Sequence, residues 1–125
     1  MARLLGKEIS EISGNTEATC VEFAKRHGCV CVLKDHNTVV SDGSAVYINE
    51  SGNSAMAKAG SGDLLAGVIG ALVARRDAPL STLDAAALGV YIHGLAGDAA
   101  RDRLGEFSAL ARDIADSISC VMKNI

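Results

Sequence analysis

Gly60-Ser61-Gly62-Asp63, entered from Asn53-Ser54-Ala55-Met56-Ala57-Lys58-Ala59 and continued by Leu64-Leu65-Ala66-Gly67, decides how the rest of the chain is read. Two glycines around a serine let the backbone turn with its N–H groups facing one way, and an apolar helix follows at once. A turn of this kind at a helix N-terminus binds anions. Asp63 stands out, because a carboxylate in the first helical turn suits the helix dipole but repels a phosphate beside it. That placement fits proton abstraction next to phosphoryl chemistry. Taken alone, these residues serve equally well as an ordinary loop and helix start. Two related patterns do not fit. A P-loop needs Lys and then Ser or Thr after its last glycine, where Asp63-Leu64 stand, and the dinucleotide fingerprint needs a glycine at position 65, which is Leu.

Working outward, Asp63 to about Arg76 reads as a helix that is apolar nearly all round, which predicts burial between layers. Pro79 separates it from a helix starting near Ser81 or Thr82. That helix carries Gly89, Gly94 and Gly97, which predict close packing or a break near His93, since each glycine costs about 1 kcal/mol in a helix. A last helix, capped by Ser108, presents Leu110, Ile114, Ile118 and Val121 to the core. On the N-terminal side, Thr38 to Ser41 and Ala45 to Ile48 flank Asp42-Gly43, a hairpin turn. Cys29 to Leu33 is a continuous apolar run, as in a strand buried on both faces. Thr16 can cap a helix to about His27, with Ala18, Val21, Phe23 and Ala24 inward and Gly28 at its end. Met1 to Leu5 reads as a helix stopped by Gly6 with no capping residue before it, which leads us to expect that further sequence precedes Met1.

The chain has 125 residues, 49% apolar, 3% aromatic and without Trp, so its core is aliphatic and rich in Ala and Gly. A net charge of −3 provides no basic patch for nucleic acid, no apolar run is long enough for a bilayer, and the start lacks the apolar core of a signal peptide; a cytoplasmic protein is expected. Cys20, Cys29, Cys31 and Cys120 have no Cys-x-x-Cys spacing and are expected to be buried free thiols. Only about three strands emerge, fewer than the five or six typical of an open α/β sheet. Part of a domain is therefore expected, and because the buried strand loses a packing layer the chain is expected to be a homo-oligomer or marginally stable.

Beyond the short motif, the stretch from Val32 to Asp113 resembles the ADP/ATP-dependent NAD(P)H-hydrate dehydratases. The matching pieces include Val32-Leu33-Lys34, Val46-Tyr47-Ile48-Asn49, Gly52-Asn53, Met56-Ala57, the glycine turn, and Ala86-Ala87-Leu88-Gly89-Val90-Tyr91-Ile92-His93-Gly94-Leu95-Ala96-Gly97-Asp98. The turn alone is shared with sugar and vitamin kinases, whereas the run ending at Asp98 is more specific. The resemblance implies a ribokinase-like α/β fold, a three-layer α/β/α sandwich. Residues 1–125 would be the C-terminal part of one such domain, without the His-Pro-Gly-Glu loop that precedes the matching segment in the family. It implies repair of hydrated nicotinamide cofactors: the hydroxyl left by water addition is phosphorylated by ADP or ATP, and loss of phosphate restores NADH or NADPH.

By the same resemblance, Asp63 is the general base and contacts substrate, while Gly60, Ser61 and Gly62 form an anion hole. Lys34, Asp35, His36, Asn37 and Thr38, with Gly62, bind the nucleotide, and Mg2+ screens its phosphates. Asp35 departs from the glycine usual in the family, placing a negative charge near the nucleotide. Asn49 and Asn53 resemble positions near the phosphates but are also routine turn formers. His93 reads as structural, His36 as bordering the nucleotide, and His27 as a cation at a helix C-terminus. Two other readings stay open at this point: a small-molecule kinase of the same fold, and an inactive piece serving as an interaction module through its sheet edge.

Overall fold

The structure is a computed structural model and describes residues 1–77 and 79–123. It divides into two compact units, Met1–Asn49 and Glu50–Ile125.

In the first unit, glycines end the helices where the sequence predicts. Helix α1 (Ala2–Leu5) stops at Gly6 (φ 62°), and α3 (Thr16–His27) stops at Gly28 (φ 59°). Between them a short helix, α2 (Ile9–Ser13), was not foreseen; the Glu11 carboxylate accepts the Glu8 N–H at its start (2.8 Å). The cap of α3 is Asn15, and Thr16 is its first helical residue. Its inward face carries Thr19, Cys20 and Ala24; Val21 and Phe23 are half-buried, and Ala18, expected inside, is exposed.

Strands β1 (Cys31–Leu33), β2 (Val39–Ser41) and β3 (Val46–Ile48) form an antiparallel sheet in sequence order. The expected strand from Cys29 is shorter. The Cys29 N–H bonds back to the Ala24 carbonyl (3.2 Å), a helix-closing contact that takes Cys29 out of the ladder and leaves it exposed rather than buried. Cys31 pairs with Ser41 and Leu33 with Val39. Cys31, Leu33 and Val39 join Ile12, Cys20 and Ala24 in one core beneath α3. The turn after Ser41 spans Asp42 to Ala45, longer than Asp42-Gly43 alone. The Asp42 carboxylate accepts the N–H groups of Ser44 and Ala45 (both 2.8 Å), and these bonds hold that carboxyl below its ordinary pKa.

In the second unit, α4 (Ser61–Val73), α5 (Thr82–Leu104) and α6 (Ala111–Met122) pack together. Ser81 caps α5, its hydroxyl accepting the Asp84 N–H (3.0 Å). The cap of α6 is Leu110, whose N–H donates to the Asp113 carboxylate (2.9 Å), in place of the expected Ser108. The core joins Ile92, Ile114, Leu72 and Val121 with the alanines 55, 85, 96, 100 and 109. Ile92 and Ile114 are essentially fully buried, contributing roughly 1.5 to 3 kcal/mol each.

Of the two alternatives for the glycines of α5, close packing holds and a break does not, since the helix runs unbroken through His93. A Cβ at Gly89 would lie 2.7 Å from Ile69 Cγ1 on α4, one at Gly94 would overlap Ser51, and one at Gly97 would overlap Met56. Helix α4 is not buried all round. Leu65 and Leu72 are inside, whereas Ala66, Gly67, Gly70, Ala71 and Val73 are exposed. That outer face is mostly Ala and Gly, so its apolar character comes from small side chains that expose little surface. Among the described residues, no helix is long and apolar enough to cross a membrane.

Candidate functional site

The glycine turn is built as the first winding of α4. Gly60 is its N-cap with φ 87°, a left-handed conformation that favours glycine, and the first intrahelical bond runs from the Leu64 N–H to the Gly60 carbonyl (3.0 Å). The opening N–H groups of an α-helix have no intrahelical acceptor. That of Ser61 turns back to the Lys58 carbonyl (3.3 Å), and among the described residues nothing in the protein accepts those of Gly62 and Asp63. Gly62 and the Asp63 carboxylate are exposed, so open donors and a base share one short surface. Of the residues expected to form an anion hole, Gly62 keeps its N–H open, whereas the Ser61 N–H already has a partner.

The Ser61 side chain points the other way. It is buried, with Oγ 3.3 Å from Nε2 of His93, itself 3% exposed. His93 thus supports the turn from within α5, in keeping with a structural reading. The loop leading into the turn is tied to the same helix. The Asp98 carboxylate accepts the Gly52 N–H (2.9 Å) through one oxygen and the Asn53 amide (2.7 Å) through the other, and Ser51 donates to the Tyr91 carbonyl (3.2 Å). Asn53 caps the 3-10 turn Ser54–Met56 by accepting the Ala55 N–H (3.0 Å). Asp98 was not singled out from sequence. The signal that could have found it is the pair Gly94 and Gly97, which marks a helix face abutting backbone, with His93 and Asp98 beside them.

The proposed nucleotide segment, residues 34–38, is the loop joining β1 to β2 in the first unit; Lys34, Asp35, His36 and Asn37 are exposed and Thr38 half-buried. The structure brings Lys34–Thr38 together in that loop, and Gly60–Asp63 together in the turn of the second unit. Asp35 is engaged locally: one carboxylate oxygen accepts the His36 N–H (2.9 Å) and the other the Thr16 hydroxyl (3.1 Å). Its charge is therefore partly occupied in fastening the loop to the start of α3. Asn49 is buried just after β3, its side-chain oxygen accepting from the Tyr47 hydroxyl (3.1 Å) and its N–H donating to the Thr38 carbonyl (2.9 Å).

The sequence profile of the NAD(P)H-hydrate dehydratase family matches residues 1–119. The chain belongs to that family. It is 40% identical to the bifunctional NAD(P)H-hydrate repair enzyme of Moorella thermoacetica, over all of this chain and 23% of that protein. It is 38% identical to the ADP-dependent (S)-NAD(P)H-hydrate dehydratase of Neisseria meningitidis, over 83% of this chain and 34% of that one. Among solved structures, the ADP/ATP-dependent NAD(P)H-hydrate dehydratase of Bacillus subtilis, co-crystallised with ATP and Mg2+ and soaked with CoA, superposes with a TM-score of 0.88 at 29% identity. The match covers 98% of this chain and 45% of the Bacillus chain. The fold is thus that of the NAD(P)H-hydrate dehydratases, and the chain spans under half the length of these relatives.

Proposed function

We propose that this chain serves in the ADP- or ATP-dependent dehydration of NAD(P)H-hydrate to NAD(P)H, as the C-terminal part of one dehydratase domain. The observation that carries the reading is the start of α4, where the exposed Asp63 carboxylate stands beside the open N–H groups of Gly62 and Asp63. Asp63 takes the proton of the substrate's C6 hydroxyl as that oxygen attacks the terminal phosphoryl group of the nucleotide. The backbone N–H groups, with the positive end of α4, stabilise the charge on the transferring group. The phosphate then leaves C6, assisted by the ring nitrogen, and loss of the C5 proton restores the double bond. Lys34 to Thr38 supply the nucleotide contacts in this reading.

Among the described residues, no three His, Cys, Asp or Glu side chains converge. The described side chains thus form no cage for Mg2+, and the steps above rest on Asp63 and the backbone. A sugar or vitamin kinase would share the turn, but the family match over residues 1–119 favours the dehydratase.

The test is Asp63→Asn, which keeps side-chain size and the position at the helix start. ATP binding by calorimetry should persist, while conversion of hydrate to NAD(P)H falls roughly 10²-fold to 10⁴-fold. Turnover within about threefold of the parent would reduce Asp63 to a helix-dipole residue. A parent chain that neither binds ATP nor converts hydrate would remove the reading.

A further inference from the structure

We infer that Asp98 is a positioning residue for the glycine turn: it fixes the start of segment 52–61 while His93 holds its end, so that the N–H groups of Gly62 and Asp63 face an incoming phosphate. The inference rests on the anion-binding reading of the turn. Both oxygens of Asp98 are committed to the loop, at 2.9 Å to the Gly52 N–H and 2.7 Å to the Asn53 amide. The nearest cation, Arg101, stands 3.9 Å away, beyond hydrogen-bond reach.

From Asn53 the connection runs on without a gap. Its side chain accepts the Ala55 N–H (3.0 Å) and its carbonyl the Met56 N–H (3.1 Å). The Met56 carbonyl accepts from Lys58 (2.8 Å), and the Lys58 carbonyl accepts from Ser61 (3.3 Å), whose hydroxyl meets His93. A short rigid segment clamped at both ends by one helix has few ways to turn its final amides. Gly94 and Gly97 let the loop lie against α5 closely enough for these bonds, since a Cβ at either would overlap Ser51 or Met56. Met56, covering Gly97, is itself half-buried against the unit's core.

The decisive feature is polarity. Asp98 accepts twice and donates nothing, so Asp98→Asn sets an NH2 group against either the Gly52 N–H or the Asn53 NH2. The swap Asn53→Asp with Asp98→Asn restores every bond. The new asparagine accepts from Gly52 through its oxygen and donates to the new aspartate, which still accepts the Ala55 N–H. A role that depended only on a negative charge at position 98 would not be rescued by this exchange.

The experiment uses the 125-residue chain, with ATP titrated by calorimetry and the amides of Gly62 and Asp63 followed by nuclear magnetic resonance. Asp98→Asn is expected to weaken ATP roughly tenfold, the loss of one charge-assisted hydrogen bond, and to displace both amide signals. The swap should return affinity to within about threefold and the signals toward their parent positions. Unchanged affinity and signals in the single variant, or a swap no better than the single variant, would overturn the inference. If Asp98→Asn fails to fold, comparing the swap with the parent still decides. If the parent itself binds no ATP, the functional reading falls, while the amide signals decide the positioning role separately.

Discussion

Side-chain bulk closes the first unit: Leu33, Val39, Cys31 and Ile12 fill the space beneath α3. In the second unit five of the nine buried core residues described are alanines, and Gly89, Gly94 and Gly97 of α5 lie directly against neighbouring side chains and backbone. Bulky cores tolerate small rearrangements because side chains can change rotamer, whereas a helix packed through glycine against backbone has almost no slack. In the proposed function the loop 34–38 needs only to present flexible side chains, and it is held by the local contacts of Asp35 and the Thr38 carbonyl. The glycine turn, in the same reading, must aim backbone amides, and the segment leading into it is held by Asp98 and His93.

The strongest way to break this contrast is Gly94→Ala. The added Cβ would fall on Ser51, including its backbone carbonyl carbon at 2.8 Å, and no rotamer change relieves a backbone overlap. Overpacking of this kind costs about 1 to 3 kcal/mol or more and outweighs the gain of about 1 kcal/mol in helix propensity. A clear drop in the urea midpoint, together with shifted Gly62 and Asp63 amides, is expected. An unchanged midpoint would show that the loop has slack after all.

Much of this architecture was legible because its signals are local. Gly6 and Gly28 end their helices with positive φ, Ser81 caps α5, and Ser61 opens α4 within two residues of the expected start at Asp63. What escaped depends on distance in sequence or on surroundings. Asp98 meets Asn53 across 45 residues and Asp35 meets Thr16 across 19, and no periodicity encodes such pairs. The length of β1 was misjudged because Cys29 is as apolar as its neighbours, yet the closing bond of α3 claims it. The full burial expected of α4 failed because composition cannot tell an alanine face that is covered from one that is exposed.

A second test addresses the bulky unit through its thiols. Burial first, and the neighbouring Cys20 second, push the Cys31 thiol up to about 12 from 9.0, and burial also raises Cys20. The neutral thiol is the form the fold favours. Its contribution to stability is therefore complete below the unfolded value of 9.0 and is lost as pH rises toward about 12. At about pH 8 iodoacetamide should modify exposed Cys29 at least tenfold faster than Cys20 or Cys31, because the thiolate is the reactive form. Mass spectrometry of the digested chain reads the order. Equal rates at Cys29 and Cys31 would mean that the core beneath α3 opens freely.

The smallest expected effect has the opposite sign and isolates what glycine does in the second unit. Gly70 lies inside α4 with no heavy atom within 4 Å of where a Cβ would stand, and it does not occupy a positive φ. Gly70→Ala should therefore meet nothing, lose less backbone entropy on folding, and stabilise the chain by about 0.5 to 1 kcal/mol. The same substitution thus raises the urea midpoint at Gly70 and lowers it at Gly94, although both glycines are helical. If Gly70→Ala were destabilising, something must pack against the exposed face of α4 in solution, and that face would then have to be counted with the close-packed surfaces of α5.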